Sequence, residues 1–213
     1  MTERLKEIFS SIPNGDVFAD IGCDHGYIAK AMLKSGKCKK AVVSDISERS
    51  LEKAKTLLSR EIAAGKAVAV VSDGFKNVPP CDVALIAGMG GEEIIKIIDE
   101  AAVLPRILVL QPMKNVRKVR EFIVSAGYAV TTDRVFMEGY MFYDLLVLKK
   151  GADTLTEEEK EYGRTNLLSP SDDFRKKIRW EIKCIDERIE KGDLKKNILL
   201  AFMKKKEELK KYV

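Results

Sequence analysis

Between residue 16 and about residue 148, short apolar runs alternate with longer stretches in which apolar residues recur at helical spacing. The apolar runs are rich in Val, Ile and Leu and predict strands at residues 17–21, 41–45, 68–71, 83–87 and 107–110. Four helices are predicted between and after these strands. The first begins at residue 29, the second covers residues 48–64, the third carries Ile94, Ile97 and Ile98, and the fourth covers residues 116–126. Continuous apolar runs are typical of strands that helices cover on both faces, so the pattern predicts an α/β fold with a doubly wound, mostly parallel sheet.

The pattern changes after the last of these helices. Residues 128–149 contain two strand-like runs with no helix between them, which predicts an antiparallel hairpin at one edge of the sheet. Isoleucines then recur at intervals of four, three and four residues: Ile178, Ile182, Ile185 and Ile189. Gly192-Asp193 ends this helix, and a second helix carries Ile198, Phe202 and Leu209 on one face. We therefore expect a domain over residues 1–150, a connector over 151–173 and a small, coiled-coil-like helical hairpin over 174–213.

The composition excludes several classes of protein. Of the 213 residues, 46% are hydrophobic and 33% are charged, which excludes wholesale disorder. The four cysteines are scattered and His25 is the only histidine, so we expect no metal site and no disulfide. No apolar run approaches the roughly 20 residues that span a bilayer, and the N-terminus lacks an apolar signal segment. A cytoplasmic protein without a membrane partner is therefore expected.

The formal net charge of +5 is unevenly distributed along the chain. Residues 1–150 hold 22 basic and 19 acidic side chains, residues 151–173 hold 2 and 7, and residues 174–213 hold 14 and 7. A basic hairpin joined to a nearly neutral domain suits a large polyanion such as RNA, which proteins bind through its phosphates. The alternative is a lysine-rich hairpin that packs on the core or on a second subunit. Oligomeric state is not readable from the sequence, and a monomer is the working expectation.

Each predicted parallel strand ends in glycine, acidic or other polar residues. The carboxyl ends of parallel strands meet at one edge of the sheet, where ligands bind. The first strand leads into D-I-G-C-D-H-G at residues 20–26, and the later strands end at Asp45, Asp73-Gly74, Gly88 to Gly91 and Gln111-Pro112. Each of these features alone also fits an ordinary turn or helix cap. Their occurrence together at one edge indicates a ligand site.

The residues at this edge favour S-adenosylmethionine over a dinucleotide. A dinucleotide site needs bare backbone at the glycines of G-x-G-x-x-G, but Asp24 and Tyr27 stand at the second and third of those positions. S-adenosylmethionine carries a sulfonium and an ammonium but no phosphate, so carboxylates are favourable neighbours. Asp45 would then bind the ribose hydroxyls and Asp73 the adenine amino group, with a nicotinamide-dependent enzyme as the alternative. The predicted cofactor-binding residues are Asp20, Gly22, Cys23, Asp45, Ile46, Asp73, Gly74 and Gly88.

Several motifs resemble those of one known family. They are D-I-G-C-D-H-G-Y at residues 20–27, A-G-M-G-G at 87–91, L-Q-P at 110–112, and Arg4-Leu5 followed by I-P-N-G at 12–15. Together they resemble the bacterial tRNA adenine-22 N1-methyltransferases, the TrmK family, over essentially the whole chain. The resemblance implies a class I, Rossmann-like fold, S-adenosylmethionine as cofactor and N1 of one tRNA adenosine as the methyl acceptor. By matching position, it implies that Asp24 is the catalytic aspartate.

The chemistry of the fourth strand end agrees with methylation of a ring nitrogen. Enzymes that methylate exocyclic amines usually place an N-P-P-Y/F loop there, whereas this chain has A-G-M-G at residues 87–90. A ring nitrogen already has a lone pair and needs aim, desolvation and a counter-charge rather than proton removal. Asp24 beside the N6 amino group would supply that counter-charge, and His25 would orient Asp24, stack on the base, or serve only in packing.

The predicted substrate-contacting residues lie in the loops and the helix around this edge: His25, Tyr27, Met89, Gln111, Pro112, Lys114, Arg117 and Lys118. Lys114, Arg117 and Lys118 share one helical face and are candidates for phosphate contacts, or form a solvated face. Arg4 pairs with the carboxylate of the cofactor or has a surface role. Two alternatives remain open: a methyltransferase for another RNA site or for a small molecule or protein, and a non-catalytic RNA-binding adaptor on a methyltransferase fold.

Overall fold

A computed structural model describes residues 1–192 and 194–213 and shows one seven-stranded sheet with helices on both faces. The strands are β1 (Val17–Ile21), β2 (Lys40–Asp45), β3 (Ala67–Val71), β4 (Val83–Met89), β5 (Ile107–Pro112), β6 (Tyr128–Glu138) and β7 (Met141–Lys150). The helices are α1 (Glu3–Ser11), α2 (Tyr27–Lys34), α3 (Glu48–Leu57), α4 (Ser59–Ala63), α5 (Gly91–Asp99), α6 (Val116–Ser125), α7 (Glu157–Tyr162), α8 (Arg164–Leu168), α9 (Asp172–Glu190) and α10 (Lys196–Lys210). The five predicted parallel strands are all present, with ends that differ from the prediction by no more than two residues.

The strands are arranged in the order β3-β2-β1-β4-β5-β7-β6. The first five are parallel to one another, and β7 lies antiparallel between β5 and β6. This confirms the doubly wound, mostly parallel sheet with an antiparallel hairpin at its C-terminal edge. The chain order reverses between β1 and β4, which is the point where open α/β sheets form their ligand clefts.

Each face of the sheet has its own hydrophobic core. Met32 and Leu51 are buried between the sheet and the helices α1, α2 and α3. Ile94 and Ile123 are buried on the other face, beneath α5 and α6. Because both faces are covered, the strands need apolar residues at consecutive positions, which explains the continuous runs in the sequence.

The predicted helix over residues 48–64 is divided into α3 and α4. Leu58, between them, has φ −98° and ψ 16°, outside the helical region, and its side chain is fully buried. The apolar face continues across the break because Leu58 still packs into the core. Hydrophobic periodicity alone therefore gave no sign that the helix is interrupted.

The helical hairpin predicted at the C-terminus is present as α9 and α10. The two helices run in opposite directions. This is shown by Arg175, near the start of α9, which donates a hydrogen bond at 3.3 Å to the carbonyl oxygen of Tyr212, just beyond the end of α10. An ion pair between Lys206 and Asp186 joins the helices further along. Of the predicted break, Gly192 lies just beyond the end of α9 with φ 70°, while Asp193 lies outside the described residues.

The hairpin of α9 and α10, called the arm below, packs on the edge of the sheet. Phe174 and Ile178 of α9 and Leu209 of α10 are buried in a third apolar cluster together with Val135 of β6. Of the two possibilities that the sequence left open, contact with the core is thus seen directly. RNA binding would have to use the faces of the arm that remain exposed.

A buried ion cluster lies next to this contact. Arg120 of α6 is fully buried and forms two hydrogen bonds with Asp133, at 2.7 and 2.8 Å, and one with Asp144 at 3.0 Å. Lys177 of α9 donates to the other oxygen of Asp144 at 3.1 Å. The cluster therefore joins α6, the sheet and the arm, and removing one member would leave a buried charge without its partner.

Candidate active site

A cavity of about 700 Å³ opens at the carboxyl ends of β1 to β4. Its wall contains residues from all four strand ends and from α1, and the predicted residues among them are Asp20, Gly22, Cys23, Asp24, His25, Tyr27, Asp45, Ile46, Asp73, Gly74, Gly88 and Met89. The structure thus brings together every predicted cofactor residue, the predicted catalytic aspartate and three of the predicted substrate residues. Within the described residues, no group of three His, Cys, Asp or Glu side chains has metal-binding geometry.

The loop after β1 is held in a tight conformation against β2. The backbone N–H groups of Gly22 and Cys23 both donate to the carbonyl oxygen of Ser44, at 2.8 and 3.0 Å. Gly22 has φ 71°, and a Cβ atom there would lie 2.0 Å from the terminal methyl carbon of Met89. The backbone conformation therefore favours glycine, and a side chain here would also have to displace the end of Met89 in β4.

Asp24 lies in the same loop, with its side chain 59% exposed at the cavity. One of its carboxylate oxygens accepts a hydrogen bond from Lys53 of α3 at 3.0 Å, and the other lies 2.7 Å from Nδ1 of His25. Although partial burial acts in the opposite direction, the hydrogen bonds from Lys53 and His25 hold the pKa of Asp24 below its ordinary value. Asp24 is therefore a stable carboxylate with access to a ligand.

Asp20, at the end of β1, has the opposite character. It is 6% exposed, and burial raises the pKa of its carboxyl to about 7, with a backbone hydrogen bond from Ala29 opposing the shift and the charge of Asp45 adding to it. The neighbouring thiol of Cys23 also has a raised pKa, chiefly through burial. Asp20 thus places at the cavity wall a carboxyl group whose ionised form would be stabilised by a nearby positive charge.

The ends of β2 and β3 supply two further carboxylates. Asp45 accepts hydrogen bonds from the backbone N–H groups of Ser47 at 2.8 Å and Asp24 at 3.3 Å, so it fixes the loop after β1 as well as lining the cavity. Asp73 is paired with Lys76 at 2.6 Å, a hydrogen bond that lowers the pKa of Asp73. Both side chains thus offer oxygen acceptors at the cavity wall.

Apolar contacts complete this side of the cavity. Ile46 is 71% exposed beside Asp45, and Phe75 follows Gly74 with its ring largely buried. A Cβ atom at Gly74, where φ is 59°, would lie 3.0 Å from the side chain of Ile97 in α5. The loop after β3 therefore sits directly against α5.

The end of β4 carries an irregularity that shapes the cavity. The register between β4 and β5 shifts between Ala87 and Met89, and Gly88 between them has φ 78°. Such bulges redirect side chains near functional sites. Met89, just after the bulge, lines the cavity with its side chain against Gly22.

Four cations at or beside the cavity were not among the predicted site residues: Arg4, Lys76 and Lys96 line its wall, and Lys53 pairs with Asp24. Lys53 lies 29 residues after Asp24, and no motif in the sequence connects the two positions. Arg4 appeared in the analysis only as part of a family motif and as a candidate partner for the cofactor; it lines the cavity, and its guanidinium donates to Gln111 at 2.8 Å and lies 5.7 Å from the ring centre of Tyr143. Both contacts join elements that are far apart in the chain.

Five predicted substrate residues lie outside the cavity wall. Gln111 and Pro112 are buried at the end of β5, and the side-chain oxygen of Gln111 accepts the hydrogen bond from Arg4. Arg117 is paired with three glutamates, Glu121, Glu157 and Glu161, two of which belong to α7 in the connector. Lys118 is paired with Glu92 at 2.7 Å, whereas Lys114 is exposed beside Gly90. Two glutamates of the acidic connector thus pair with Arg117, which the helical face suggested as a phosphate contact.

Comparison with known proteins agrees with this geometry. The profile of the family described as "Methyltransferase domain" matches residues 1–146. A provisionally named tRNA methyltransferase of Mycoplasma pneumoniae is 35% identical over 153 residues, which are 68% of this chain and 70% of the relative. The tRNA (adenine(22)-N(1))-methyltransferase of Bacillus subtilis is 28% identical over 161 residues, or 71% of this chain and 66% of the relative.

Solved structures show the same architecture over the full length. The crystal structure of the B. subtilis m1A22 tRNA methyltransferase TrmK has a TM-score of 0.83 at 25% identity and covers 100% of this chain and 98% of its own. The structure of M. capricolum TrmK with S-adenosyl-homocysteine has a TM-score of 0.86 at 23% identity, with coverage of 100% and 97%. The fold and the acidic cavity at its switch point are those of a class I S-adenosylmethionine-dependent methyltransferase. Within that class, the chain belongs to the TrmK family.

Proposed function

We propose that this protein transfers a methyl group from S-adenosylmethionine to N1 of an adenosine in tRNA, at position 22 as in its B. subtilis relative. The observation that carries the proposal is the Asp24 carboxylate. It is kept ionised by Lys53 and His25 and is exposed beside the acidic cavity. This is the arrangement that a base requires when it becomes cationic on methylation.

The residues of the cavity fit S-adenosylmethionine. Asp20 lies nearly buried at its inner wall and would attract the positive charges of the cofactor, while Asp45 and Asp73 are acceptors for ribose and adenine donors. Gly22 leaves room that a side chain would fill. When bound, the cofactor supplies an electrophilic methyl group on a sulfonium. Arg4 is the cation at the cavity best suited to its carboxylate.

The residues of this chain then act on the acceptor base. Asp24 accepts a hydrogen bond from the N6 amino group of adenine and stabilises the positive charge that spreads over the ring as N1 gains the methyl group. The backbone at residues 87–90 offers no side chain that would hold an exocyclic amine, which favours the ring nitrogen. The stacked rings of His25 and Tyr27, with centres 5.3 Å apart and nearly parallel, offer a flat surface for the base, and Met89 also lines the cavity.

In this proposal, the arm binds the part of the tRNA that lies outside the cavity. Its excess of basic residues lies on a rigid hairpin that is docked on the sheet, and Lys114 is exposed near the cavity. An adenosine in a folded tRNA must be turned out of its stack to reach the cavity, so binding beyond the reactive base is needed. We place this activity in the cytoplasm, where tRNA is found. None of the helices in residues 1–192 and 194–213 has the length and hydropathy needed to span a bilayer.

The test is mass spectrometry of nucleosides from tRNA that has been incubated with the protein and labelled S-adenosylmethionine. We expect labelled 1-methyladenosine, and we expect none when the adenosine at position 22 of the transcript is replaced by guanosine. Label in another nucleoside, or in a metabolite pool but not in tRNA, would show a different substrate. Failure of calorimetry to detect S-adenosylmethionine binding would instead favour the adaptor.

A further inference from the structure

The turn between β6 and β7 projects an aromatic ring from the active-site edge of the sheet. β6 runs parallel to β5, because both are antiparallel to β7, so β6 ends at the same edge as the strands that line the cavity. Glu138 and Met141 are paired across the hairpin, which leaves Gly139 and Tyr140 as its tip. Tyr140 is 99% exposed and Met141 is 57% exposed. A ring so fully exposed contributes nothing to the core.

The tip is fixed to the rim of the cavity. The side chain of Glu138 accepts a hydrogen bond from the backbone N–H of Arg4 at 3.0 Å, and Arg4 itself lines the cavity. The guanidinium of Arg4 also lies over Tyr143 of β7, three residues beyond the tip. Tyr140 therefore follows, by two residues, a side chain that is bonded to the backbone of a residue in the cavity wall.

A second exposed ring lies on the arm, beside the strand that follows the tip. Phe142 of β7 contacts Trp180 of α9, with ring centres 6.2 Å apart, and Trp180 is still 56% exposed. The backbone N–H of Met137 donates to Asp173 at 3.1 Å, which holds the start of α9 against β6. We call the surface formed by Tyr140, Met141 and Trp180 the aromatic ridge.

The charges around the ridge indicate what it binds. Arg179, next to Trp180, is exposed and forms no ion pair within 4.0 Å among the described residues. Lys176 and Lys183 lie one turn away on either side of Trp180 and are paired with the half-buried Asp173 and the exposed Glu187, respectively. Exposed aromatic rings among cations are the surface that proteins use for unpaired nucleotides, whose bases stack on the rings while the phosphates meet the cations.

We propose that the aromatic ridge binds unpaired nucleotides of the RNA substrate next to the target adenosine, with bases stacked on Tyr140 and Trp180. This inference rests on the proposed function, since it requires an RNA substrate. Stacking on the ridge would distinguish unpaired from paired RNA, whereas the basic side chains of the arm would respond only to the phosphate charge. The stacked bases hold the neighbouring nucleotides and so keep the target adenosine out of its own stack.

Trp180 is the single tryptophan of the chain, so the native protein reports on its own ridge. We expect the fluorescence of Trp180 to be quenched on saturation with tRNA, and to change much less with a fully paired RNA duplex of equal charge. The variants Tyr140→Ala and Trp180→Ala should each raise the Kd for tRNA about tenfold, whereas Tyr140→Phe and Trp180→Phe should stay near the wild-type value. Calorimetry with S-adenosylmethionine should give unchanged affinity in all four, which shows that the fold is intact.

Unchanged tRNA affinity in both alanine variants, or a Trp180 signal that does not respond to tRNA, would overturn the inference. If the wild-type protein methylates tRNA and these variants do so with an unchanged KM, only the ridge is disproved. If the wild-type protein does not methylate tRNA at all, the proposed function itself fails. A Trp180 signal that changes with protein concentration in the absence of RNA would show that the ridge is a contact between copies of this chain instead.

Discussion

Asp24 and Asp20 are four residues apart, yet the structure gives them opposite properties. Asp24 is exposed and receives hydrogen bonds from Lys53 and His25, which lower its pKa. Asp20 is buried near a second carboxylate, and its pKa rises to about 7. Two carboxyl groups in different environments can therefore hold different charges at neutral pH, and only one of them is suited to a permanent negative role.

The variant Asp24→Asn should lose most of its methylation activity while retaining the cofactor. Asparagine has nearly the same shape but cannot offset the positive charge on the methylated base, so we expect kcat to fall at least about 100-fold. Calorimetry should show unchanged affinity for S-adenosylmethionine. Near-normal turnover in this variant would show that Asp24 is not catalytic.

The variant Lys53→Met should shift the acid limb of the pH profile. The hydrogen bond from Lys53 lowers the pKa of Asp24, so its removal allows Asp24 to take up a proton at a higher pH. As the pH falls, kcat/KM for tRNA should therefore decline earlier than in the wild-type protein, with near-normal activity at pH 8. Lys55→Met is a matched control, because Lys55 lies on the same helix but pairs with Glu52 instead of Asp24. Identical acid limbs in wild type and Lys53→Met would contradict this role.

The variant Asp20→Asn should change stability in a pH-dependent way. The carboxyl has a pKa of 3.8 in its unperturbed state and about 7 in the folded protein, so the folded chain binds more protons and stability falls as the pH rises from about 4 to 7. Asparagine avoids this loss, and at pH 8 the variant should be more stable by on the order of 2 kcal/mol, with no gain at pH 4. It should also bind S-adenosylmethionine less tightly, because a buried negative charge near the cationic cofactor is gone. Denaturant titration and calorimetry at both pH values test this, and a stability difference that is the same at pH 4 and pH 8 would argue against it.

At the scale of single residues, the sequence revealed chemistry that lies in a local motif and missed chemistry that depends on distant contacts. The acidic strand ends and Asp24 lie at one cavity, as expected, because they follow predicted strands directly. Lys53 was missed because only the packing of α3 beside the loop after β1 brings it to Asp24. Arg117 was a candidate for a phosphate contact because the helical face is visible in the sequence, whereas its pairing with α7 is not.

The elements that shape the cavity are the glycine turn after β1 and the bulge at the end of β4. They meet where the methyl group of Met89 fills the space beside Gly22. Apolar runs identified the strands that carry these turns, since strand position depends on burial, which periodicity reports. The register shift in β4 and the division between α3 and α4 could not be predicted, because neither changes the order of apolar and polar residues.

The variant Gly22→Ala should weaken S-adenosylmethionine binding. The new Cβ atom would displace Met89, and alanine at φ 71° adds backbone strain of roughly 1 kcal/mol. The double variant with Met89→Ala removes the collision but leaves the strain, so it should recover part of the lost affinity. Alanine at Gly36, which also has a positive φ but meets no atom within 4 Å, is the control for strain alone. If Gly22→Ala binds the cofactor as well as Gly36→Ala does, the close approach is unimportant.

For the whole molecule, charge counts along the sequence predict a nearly neutral domain, an acidic connector and a basic arm. The position of the arm was not, because it depends on Arg120, Asp133, Asp144 and Lys177, which are far apart in the chain. Deletion of residues 174–213 would therefore expose apolar surface at Val135 and remove a partner from Asp144, so surface charges on the intact arm give the sharper test.

Reversing two exposed charges of the arm should weaken tRNA binding. In the double variant Lys195→Glu with Lys196→Glu, we expect lower tRNA affinity and a salt dependence reduced by about one unit of log-log slope for each lost phosphate contact. S-adenosylmethionine affinity should stay the same. The matched control is Lys34→Glu with Lys66→Glu, which makes the same charge change at exposed positions preceding β2 and β3, at the opposite edge of the sheet. Equal loss in both double variants would mean that only net charge matters.

The position of β7 between β5 and β6 has a consequence for the order in which the molecule forms during synthesis. Strands β1 to β5 can pair as they leave the ribosome, but β5 keeps an open edge until residues 141–150 have emerged and taken their place beside it. An open, apolar edge is a site for wrong pairing with other chains. The arm follows in the chain, so it docks on a sheet that is already closed. We accordingly expect ribosome-bound chains that end before β7 to bind chaperones more strongly than chains that include β7.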